Sequence, residues 1–232
     1  MLSELVQRLA RSTPARCEVC RAWPAAPVCA ACLAEFGAFR HRCRTCAIAL
    51  PDGVDRCGRC LREPPPLEAC HAAASYGFPW AGLIARFKFS GHAGWADTFA
   101  GWMLSHAGIR QCVAGADLLV PMPLAPQRLA ERGFNQAWEL ARRLAPGKAD
   151  AGLVVRLRDT PPQARLDRAA RLANLRHAFA VEPLRARELA GRSLVLVDDV
   201  MTSGASLFTL AAALRRAGAA HVCAVVLART ED

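Results

Sequence analysis

The sequence predicts an α/β protein with a mainly parallel sheet, preceded by a small cysteine-rich module. From about residue 71 onward, short apolar runs alternate with helix-like apolar patterns, as is typical of strand–helix–strand units. Eight of the 11 cysteines lie within the first 60 residues. With 232 residues, 53% of them hydrophobic, the chain has room for one domain of ordinary size plus a small appendage. We therefore predict a module at 1–63 and an α/β domain at 70–232, separated by a stiff run of three prolines.

The cysteines of the first module form four C-x2-C pairs, separated by 8, 10 and 10 residues. Each pair offers two thiolates to one tetrahedral ion, so the pattern predicts two structural zinc sites. Disulfides would conflict with the absence of a secretion signal. The predicted ligands are Cys17, Cys20, Cys29, Cys32, Cys43, Cys46, Cys57 and Cys60. We call each C-x2-C pair a knuckle. Sequential pairing, in which the first two knuckles bind one ion and the last two bind the other, is favoured because each half repeats one pattern of knuckle, turn-rich linker and knuckle. Interleaved pairing of the knuckles stays open.

The charge of the chain is strongly basic and unevenly distributed. The formal net charge is +10, and residues 128–187 alone carry 13 basic against 6 acidic side chains. Such a segment favours an anionic ligand, either a phosphate compound or nucleic acid. The chain has no signal-peptide pattern and no apolar run of membrane-spanning length, so we expect a cytoplasmic protein without membrane insertion.

The apolar patterns of the second domain predict a regular order of elements. Strands are predicted at 72–76, 117–120, 153–157, 193–197 and 223–227, and helices at 81–87, 95–106, 128–144 and from residue 207. Three polar loops follow the strands that end at Val120, Leu157 and Val197. In a parallel sheet the carboxyl ends of the strands share one edge, so we expect these loops to form one cleft.

The stretch from Ser193 to Ser206, SLVLVDDVMTSGAS, is the most informative part of the chain. A buried strand is followed by Asp198 and Asp199, and a loop of small residues then leads into a helix. Free backbone N–H groups at a helix N-terminus bind anions. Two adjacent carboxylates can accept hydrogen bonds from sugar hydroxyls or hold hydrated Mg2+. Together these features predict a site for a phosphorylated ribose.

This stretch resembles the signature of the type I phosphoribosyltransferases, which bind 5-phosphoribosyl-1-pyrophosphate (PRPP) with Mg2+. The resemblance implies the type I phosphoribosyltransferase fold, with Asp198 and Asp199 on the ribose hydroxyls, where they stabilise the cationic sugar. It also implies two phosphate-binding loops. The 5-phosphate would lie on Val200, Met201, Thr202, Ser203, Gly204, Ala205 and Ser206, and the pyrophosphate on Pro121, Met122, Pro123 and Leu124. Lys88, ahead of a predicted turn, could reach a phosphate.

A second stretch, P-M-P-L-x3-R-L-x2-R-G-F-N-Q-A at 121–137, resembles the ComF family of competence-associated, phosphoribosyltransferase-like proteins. The double zinc ribbon resembles that family too. The resemblance implies that Arg128, Arg132, Asn135 and Gln136 line the cleft. The polar stretch after Leu157 looks like the flexible lid of related transferases, with Gln163, Arg168 and Arg171 as its donors.

Two functions are compatible with these patterns. The first is transfer of the 5-phosphoribosyl group from PRPP to an acceptor with release of pyrophosphate, linked to DNA uptake in natural competence. The alternative is a non-catalytic, PRPP-responsive accessory protein that binds single-stranded DNA and proteins of the competence machinery. The basic segment 128–187 favours the alternative, but it contains few aromatic residues on which bases could stack. No pattern identifies the acceptor.

Overall fold

The computed structural model describes residues 15–89, 94–157 and 178–231. The chain divides into two compact units, residues 1–38 and 39–232. The smaller unit contains the first two C-x2-C pairs, whereas the larger unit contains the other two pairs together with the α/β domain. This division falls earlier in the chain than the module boundary predicted at 63–70, which stays a prediction.

The smaller unit is built around its cysteines. A backbone bridge pairs Ala15 with Ala25, and helix α1 spans Ala30–Phe36, directly after Cys29. Cys17 and Cys32 are buried, as is Val28. The few apolar side chains available here make a very small core, so bound metal is expected to stabilise this unit.

The larger unit contains a four-stranded sheet, a separate two-stranded sheet and seven helices among its described residues. Its helices are α2 (Gly58–Arg62), α3 (Trp80–Phe89), α4 (Trp95–Ser105), α5 (Ala107–Ala114), α6 (Pro126–Arg132), α7 (Gln136–Leu144) and α8 (Ala205–Arg216). Its strands are β1 (Cys70–Ser75), β2 (Leu118–Pro121), β3 (Val154–Arg156), β4 (Phe179–Val181), β5 (Ser193–Met201) and β6 (His221–Arg229). A 3-10 helix occupies Pro183–Leu189.

The main sheet is parallel throughout, in the order β1-β6-β5-β2. Residues Leu194–Val197 of β5 are all at most 2% exposed. Successive side chains of a strand point to opposite faces, so both faces of β5 are covered, as is usual for parallel strands. Leu194 and Leu196 share a core with Leu207 and Leu210 of α8. The predicted mainly parallel sheet flanked by helices is confirmed.

One predicted strand lies outside the main parallel sheet. The segment predicted at 153–157 forms the short strand β3, which pairs antiparallel with β4 in a separate two-stranded sheet. The prediction that this segment belongs to the parallel sheet was therefore wrong, and the loop that follows it lies outside the described residues. A short apolar run carries no information about its partner strand, and here that partner is Phe179–Val181.

The long helix predicted at 128–144 is two helices. Gly133 ends α6 in the left-handed conformation, with φ of 76°, and Asn135 caps the start of α7. Glycine after a helix and asparagine before one are the usual stop and start signals. Within the described ranges, no helix combines the length and the apolar character that crossing a bilayer requires.

Candidate functional site

The two carboxylates lie near the carboxyl end of β5, inside the strand. Pairing with β6 continues to Met201 opposite Arg229, so the strand extends four residues beyond its predicted end at Val197. Asp198 and Asp199 are consecutive, so their side chains leave opposite faces of the sheet. The Oδ1 atom of Asp198 accepts a hydrogen bond of 2.9 Å from the N–H of Asp199.

Lys88 neutralises the second carboxylate. Its Nζ lies 3.2 Å from Oδ2 of Asp199, and the side chains are 18% and 10% exposed. Lys88 is in the last turn of α3, which brings it to the carboxyl edge of the sheet. The sequence suggested Lys88 as a phosphate contact, and the structure brings it to the carboxylates.

Asp198 has an unusual protonation equilibrium. Burial, together with the negative charge of Asp199, raises the pKa of Asp198 to about 7, although Lys88 and Arg132 act in the opposite direction. A carboxyl group with this pKa changes charge near neutral pH. A bound cation, or hydroxyl donors, would favour its ionised form.

The loop after β5 presents backbone N–H groups at the start of α8. Within the described part of the chain, the N–H groups of Thr202, Ser203 and Gly204 donate no hydrogen bond. Gly204 has φ of 79° and is the N-cap of α8. A Cβ at this position would lie 2.4 Å from Cε of Met201 and 2.7 Å from Cζ of Phe208. Only glycine fits, so the loop keeps a shape in which free N–H groups can surround an anion.

The loop at 121–124 is anchored on the neighbouring strand. The N–H of Met122 donates to the carbonyl of Val197 over 2.9 Å, which continues the β2–β5 pairing. The two prolines have no N–H, so Leu124 is the one residue of this loop that can offer its N–H to a ligand. The sequence predicted a rigid loop with few free N–H groups, and the structure agrees.

Asn135 connects this loop to α7. Its Oδ1 accepts hydrogen bonds from the N–H groups of Ala137 and Trp138, which caps the helix. Its Nδ2 donates to the carbonyl of Met122 over 3.0 Å. Asn135 therefore holds the loop in place, and the second N–H of its Nδ2 stays available for a ligand.

Arg132 and Gln136 form a pair beside the site. Nη1 of Arg132 donates to Oε1 of Gln136 over 2.9 Å, and the guanidinium lies over the ring of Phe89, 5.3 Å from its centroid. Gln136 is 1% exposed and also donates to the carbonyl of Phe134. Arg132 influences the pKa of Asp198, so it is close to the carboxylates. The partly exposed Arg128 makes no hydrogen bond or ion pair with either of these two described carboxylates. The predicted lid residues Gln163, Arg168 and Arg171 lie outside the described residues.

The eight cysteines of the C-x2-C pairs form two groups with sequential pairing. In each group the four Sγ atoms lie within 4.8 Å of one another. The first group contains Cys17, Cys20, Cys29 and Cys32, and the second contains Cys43, Cys46, Cys57 and Cys60. Four thiolates at about 2.3 Å from a tetrahedral zinc ion would be about 3.8 Å apart. The Sγ atoms of Cys46 and Cys57 are 3.7 Å apart, and those of Cys20 and Cys29 are 3.6 Å apart.

Backbone donors around the sulfurs also suit bound metal. The N–H of Cys57 donates to Sγ of Cys43, and the N–H of Cys29 donates to Sγ of Cys17. Burial opposes ionisation of Cys43, but backbone hydrogen bonds lower its pKa to about 7. The same balance lowers the pKa of Cys17 to about 6. Both clusters could therefore hold zinc, each as a closed site of four thiolates without an open position for chemistry.

Two functional contacts were not predicted from the sequence. Arg59, between the third and fourth ligands of the second cluster, donates from Nη2 to the carbonyl of Ser203 over 3.1 Å. Arg229, 2% exposed at the end of β6, donates to the carbonyls of Cys46 and Met201. An arginine ending an apolar strand is a signal that could have identified Arg229, because a buried charge needs partners. Arg59 had no comparable signal.

The fold and the site together define a class of protein. A parallel sheet carries two carboxylates at a strand end, followed by an N–H-rich loop at a helix N-terminus. Residues 129–232 match the family model described as "Phosphoribosyl transferase domain". The larger unit is therefore phosphoribosyltransferase-like.

Similar proteins define the family more narrowly. "DNA utilization protein YhgH" of Escherichia coli (strain K12) is 32% identical over 229 residues, which cover 94% of this chain and 99% of that protein. "Competence protein F" of Haemophilus influenzae is 30% identical, with 87% of this chain and 90% of that protein covered. "Competence protein ComFC" of Bacillus subtilis is 28% identical, with 73% and 68% covered. The chain belongs to the ComF family, as its sequence motifs predicted.

Among solved structures, one described as an allosteric regulatory enzyme of purine biosynthesis is similar at 20% identity and a TM-score of 0.35. The match covers 56% of this chain and 25% of that one. This likeness is too slight to carry an argument about function.

Proposed function

We propose that the chain binds PRPP with Mg2+ and transfers its 5-phosphoribosyl group to an acceptor, releasing pyrophosphate, in the cytoplasm. One observation carries this proposal. Asp198 and Asp199 lie at a strand end, immediately ahead of a loop whose N–H groups at 202–204 have no partner within the described residues. This arrangement matches a sugar that carries hydroxyl groups on one side and a phosphate on the other.

Each part of PRPP has a matching group in this chain. The carboxylates accept hydrogen bonds from the ribose hydroxyls, and the loop at 201–206 binds the 5-phosphate at the N-terminus of α8. The N–H of Leu124 and the side chain of Arg128 are available for the pyrophosphate. Lys88, which forms an ion pair with Asp199, can move to a phosphate oxygen when the ribose hydroxyls bind to the carboxylates. The lid role of Gln163, Arg168 and Arg171 stays part of this proposal.

The residues fit Mg2+ as well. Carboxylate oxygens are the ligands that this ion prefers, and Asp198 is partly exposed, with a backbone N–H as the one partner of its Oδ1 atom among the described residues. When bound with PRPP, the ion neutralises charge that accumulates on the departing pyrophosphate. Asp198 and Asp199 supply negative charge near the sugar, which stabilises a cationic ribose as it forms.

The transfer step balances without another reagent. The bond between ribose C1 and the pyrophosphate oxygen breaks, and pyrophosphate leaves with the electron pair. A nucleophilic atom of the acceptor forms the new bond to C1 and loses its proton to solvent or a base. Water must be kept from C1, because it would otherwise hydrolyse the activated sugar.

Calorimetric titration with PRPP and Mg2+ tests the binding step. We expect binding by the wild-type chain and loss of at least about tenfold in affinity when Asp198→Asn and Asp199→Asn are combined. Asp117→Asn is the matched control, because Oδ2 of Asp117 accepts from the N–H of Ser193 at the opposite end of β5. Equal PRPP affinity in the double variant and the control would contradict the site assignment. Adding nucleobases and following pyrophosphate release then tests transfer.

A second function is favoured by the basic segment and by the names of the relatives. Residues 128–187 carry 13 basic against 6 acidic side chains, and related proteins are named for DNA utilization and competence. In this alternative the chain binds single-stranded DNA, responds to PRPP without turning it over, and works with competence proteins. Affinity for an oligonucleotide should then fall steeply with salt, and a lack of binding at low salt would contradict this alternative.

A further inference from the structure

The second cysteine cluster has a direct connection to the phosphate loop through Arg59. Arg59 lies in α2, between the zinc-ligand candidates Cys57 and Cys60, and its Nη2 donates to the carbonyl of Ser203 over 3.1 Å. The two residues are 144 positions apart in the chain. Cys57 is the N-cap of α2, and its Sγ accepts from the N–H of Cys60. The position of the guanidinium therefore depends on the shape of the Cys57–Cys60 knuckle.

The other knuckle of the cluster is connected to the start of the same loop. Nε of the buried Arg229 donates to the carbonyl of Cys46 over 3.0 Å, and its Nη1 lies 3.4 Å from the carbonyl of Met201. The N–H of Thr230 donates to the same Met201 carbonyl over 3.1 Å. Two guanidinium groups thus hold backbone carbonyls at residues 201 and 203: Arg59 belongs to the Cys57–Cys60 knuckle, and Arg229 of β6 is bonded to the Cys43–Cys46 knuckle.

Apolar packing joins the cluster to the sheet as well. Cys43, Cys46 and Cys60 belong to one core with Met201 and the buried residues of α8. The sulfur atoms of Cys70 and Met201 are 3.7 Å apart. The N–H of Cys70 donates to the carbonyl of Arg44, which lies inside the Cys43–Cys46 knuckle. The knuckles are therefore part of the wall behind the phosphate loop.

We propose that metal in the second cluster holds the phosphate loop in its anion-binding shape, and that Arg59 is the positioning residue that connects the two. This inference deepens the proposed function, because the anion is the 5-phosphate of PRPP. A tetrahedral ion fixes both knuckles and thereby both guanidinium groups. Without the ion, the knuckles relax, the carbonyls at 201 and 203 lose their guanidinium donors, and the N–H groups of the loop lose their common orientation.

Coupling between two binding sites is reciprocal, so PRPP must also retain the metal. Phosphate on the loop favours the loop shape that the loaded cluster favours. PRPP should therefore slow release of zinc from the second cluster. The first cluster, in the smaller compact unit, provides an internal reference with the same ligand chemistry.

The first experiment needs no ligand. Amide hydrogen exchange at Phe208 and Thr230 of the zinc-loaded full chain is compared among wild type, Arg59→Ala and Arg62→Ala, because these N–H groups donate to the loop carbonyls of Gly204 and Met201. Arg62 is on the same short helix and is exposed, so Arg62→Ala removes the same charge without the Ser203 contact. We expect exchange in Arg59→Ala to be faster than in wild type by about fivefold or more, and exchange in Arg62→Ala to equal that of wild type. Equal exchange in the two variants would overturn the coupling.

The second experiment follows zinc transferred to a chromophoric chelator, with and without PRPP and Mg2+. Cys20→Ser and Cys57→Ser identify which kinetic phase belongs to which cluster. PRPP should slow the second-cluster phase by about fivefold or more and leave the first-cluster phase unchanged. Arg59→Ala should retain its zinc and lose this protection, whereas Arg62→Ala should keep it.

The outcomes separate the two proposals. If calorimetry detects PRPP binding but PRPP protects both clusters equally or neither, the coupling is wrong and the proposed function stands. If PRPP does not bind, but exchange at Phe208 and Thr230 still depends on Arg59, the proposed function fails and the structural coupling stands. Should Cys57→Ser fail to fold, the comparison of Arg59→Ala with Arg62→Ala still decides the question.

Discussion

Asp198 and Asp199 are neighbours in the sequence but differ in their surroundings. Asp199 is paired with Lys88, and its side chain is 10% exposed. Asp198 lies near the same lysine but has no ion pair with any described residue, and burial with the charge of Asp199 raises its pKa. With this pKa the carboxyl group of Asp198 is about half protonated at neutral pH, and a bound cation or hydroxyl donors would favour its ionised form.

The raised pKa of Asp198 predicts how stability changes with pH. A group whose pKa is higher in the folded state contributes stability below its unfolded pKa and loses it as pH rises through the folded value. For Asp198 this loss runs from its ordinary value of 3.8 to about 7. Asp198→Asn, which keeps the Oδ1 acceptor, should therefore stabilise the protein at pH 8, by at most about 4 kcal/mol, and change little at pH 4.

Urea unfolding of the wild type and Asp198→Asn at both pH values measures this difference. Asp150→Asn is the control with the opposite sign, because the bond from Arg185 lowers the pKa of Asp150. Removing that carboxylate should destabilise the protein at pH 8 and matter less as pH falls below about 4. A gain for Asp198→Asn that did not grow with pH would contradict the protonation argument.

Short connections between elements determine the shape of the site. Gly133 and Asn135 break one predicted helix into α6 and α7, and the break lets Asn135 reach the carbonyl of Met122. Gly204 similarly forms the turn between β5 and α8. In both places, a residue that begins or ends a helix also sets the position of a loop of the candidate site.

Two substitutions at Asn135 separate its two roles. Asn135→Ala removes the cap and the tether, and should lower the free energy of unfolding by about 1–2 kcal/mol. Asn135→Asp keeps an oxygen for the N–H groups of Ala137 and Trp138 but cannot donate to Met122. We expect it to retain much of the helix cap and still weaken pyrophosphate binding, measured by calorimetry. Equal pyrophosphate affinity in all three proteins would rule out the tether.

Gly204→Ala tests the turn before α8. The added Cβ meets Met201 and Phe208 and is strained by the positive φ, so stability should fall by about 1–3 kcal/mol and phosphate binding should weaken. Gly101→Ala is a matched control inside α4, where a Cβ has open space. It should stabilise the protein by about 0.5–1 kcal/mol. Thermal unfolding of the two variants measures both changes in stability. A change of the same sign in both variants would contradict the argument.

At the scale of the whole molecule, the two cysteine clusters have different structural roles. The first belongs to the smaller compact unit, and the second shares a core with the sheet of the larger unit. Removing metal from the first should unfold a small segment, whereas removing it from the second should disturb the unit that carries the candidate site. The two clusters thus have similar cysteine spacing, but we expect loss of metal to have different structural effects in each.

Cys32→Ser and Cys60→Ser test this difference at equally buried positions, 5% and 3% exposed. The stacked rings of Trp80 and Trp102, 4.0 Å apart, report on the larger unit through near-ultraviolet circular dichroism. Cys60→Ser should lower the midpoint of this signal by about 5–15 °C, and Cys32→Ser should leave it within about 2 °C. Similar shifts in both variants would contradict the separate roles.

The sequence by itself determined the features that depend on local chemistry. Cysteine spacing predicted the ligand groups, and the apolar run with two aspartates predicted the strand, the carboxylates and the loop before a helix. The 121–137 motif indicated the ComF family. These inferences worked because each rests on residues close together in the chain.

The tertiary structure alone decided which distant residues meet. It paired Lys88 with Asp199, turned β3 away from the main sheet, and brought Arg59 to Ser203 and Arg229 to Cys46. It also divided the cysteine clusters between two units, although their spacing suggests a repeat. Such contacts follow from packing and hydrogen bonding among segments far apart in sequence, which no local pattern encodes.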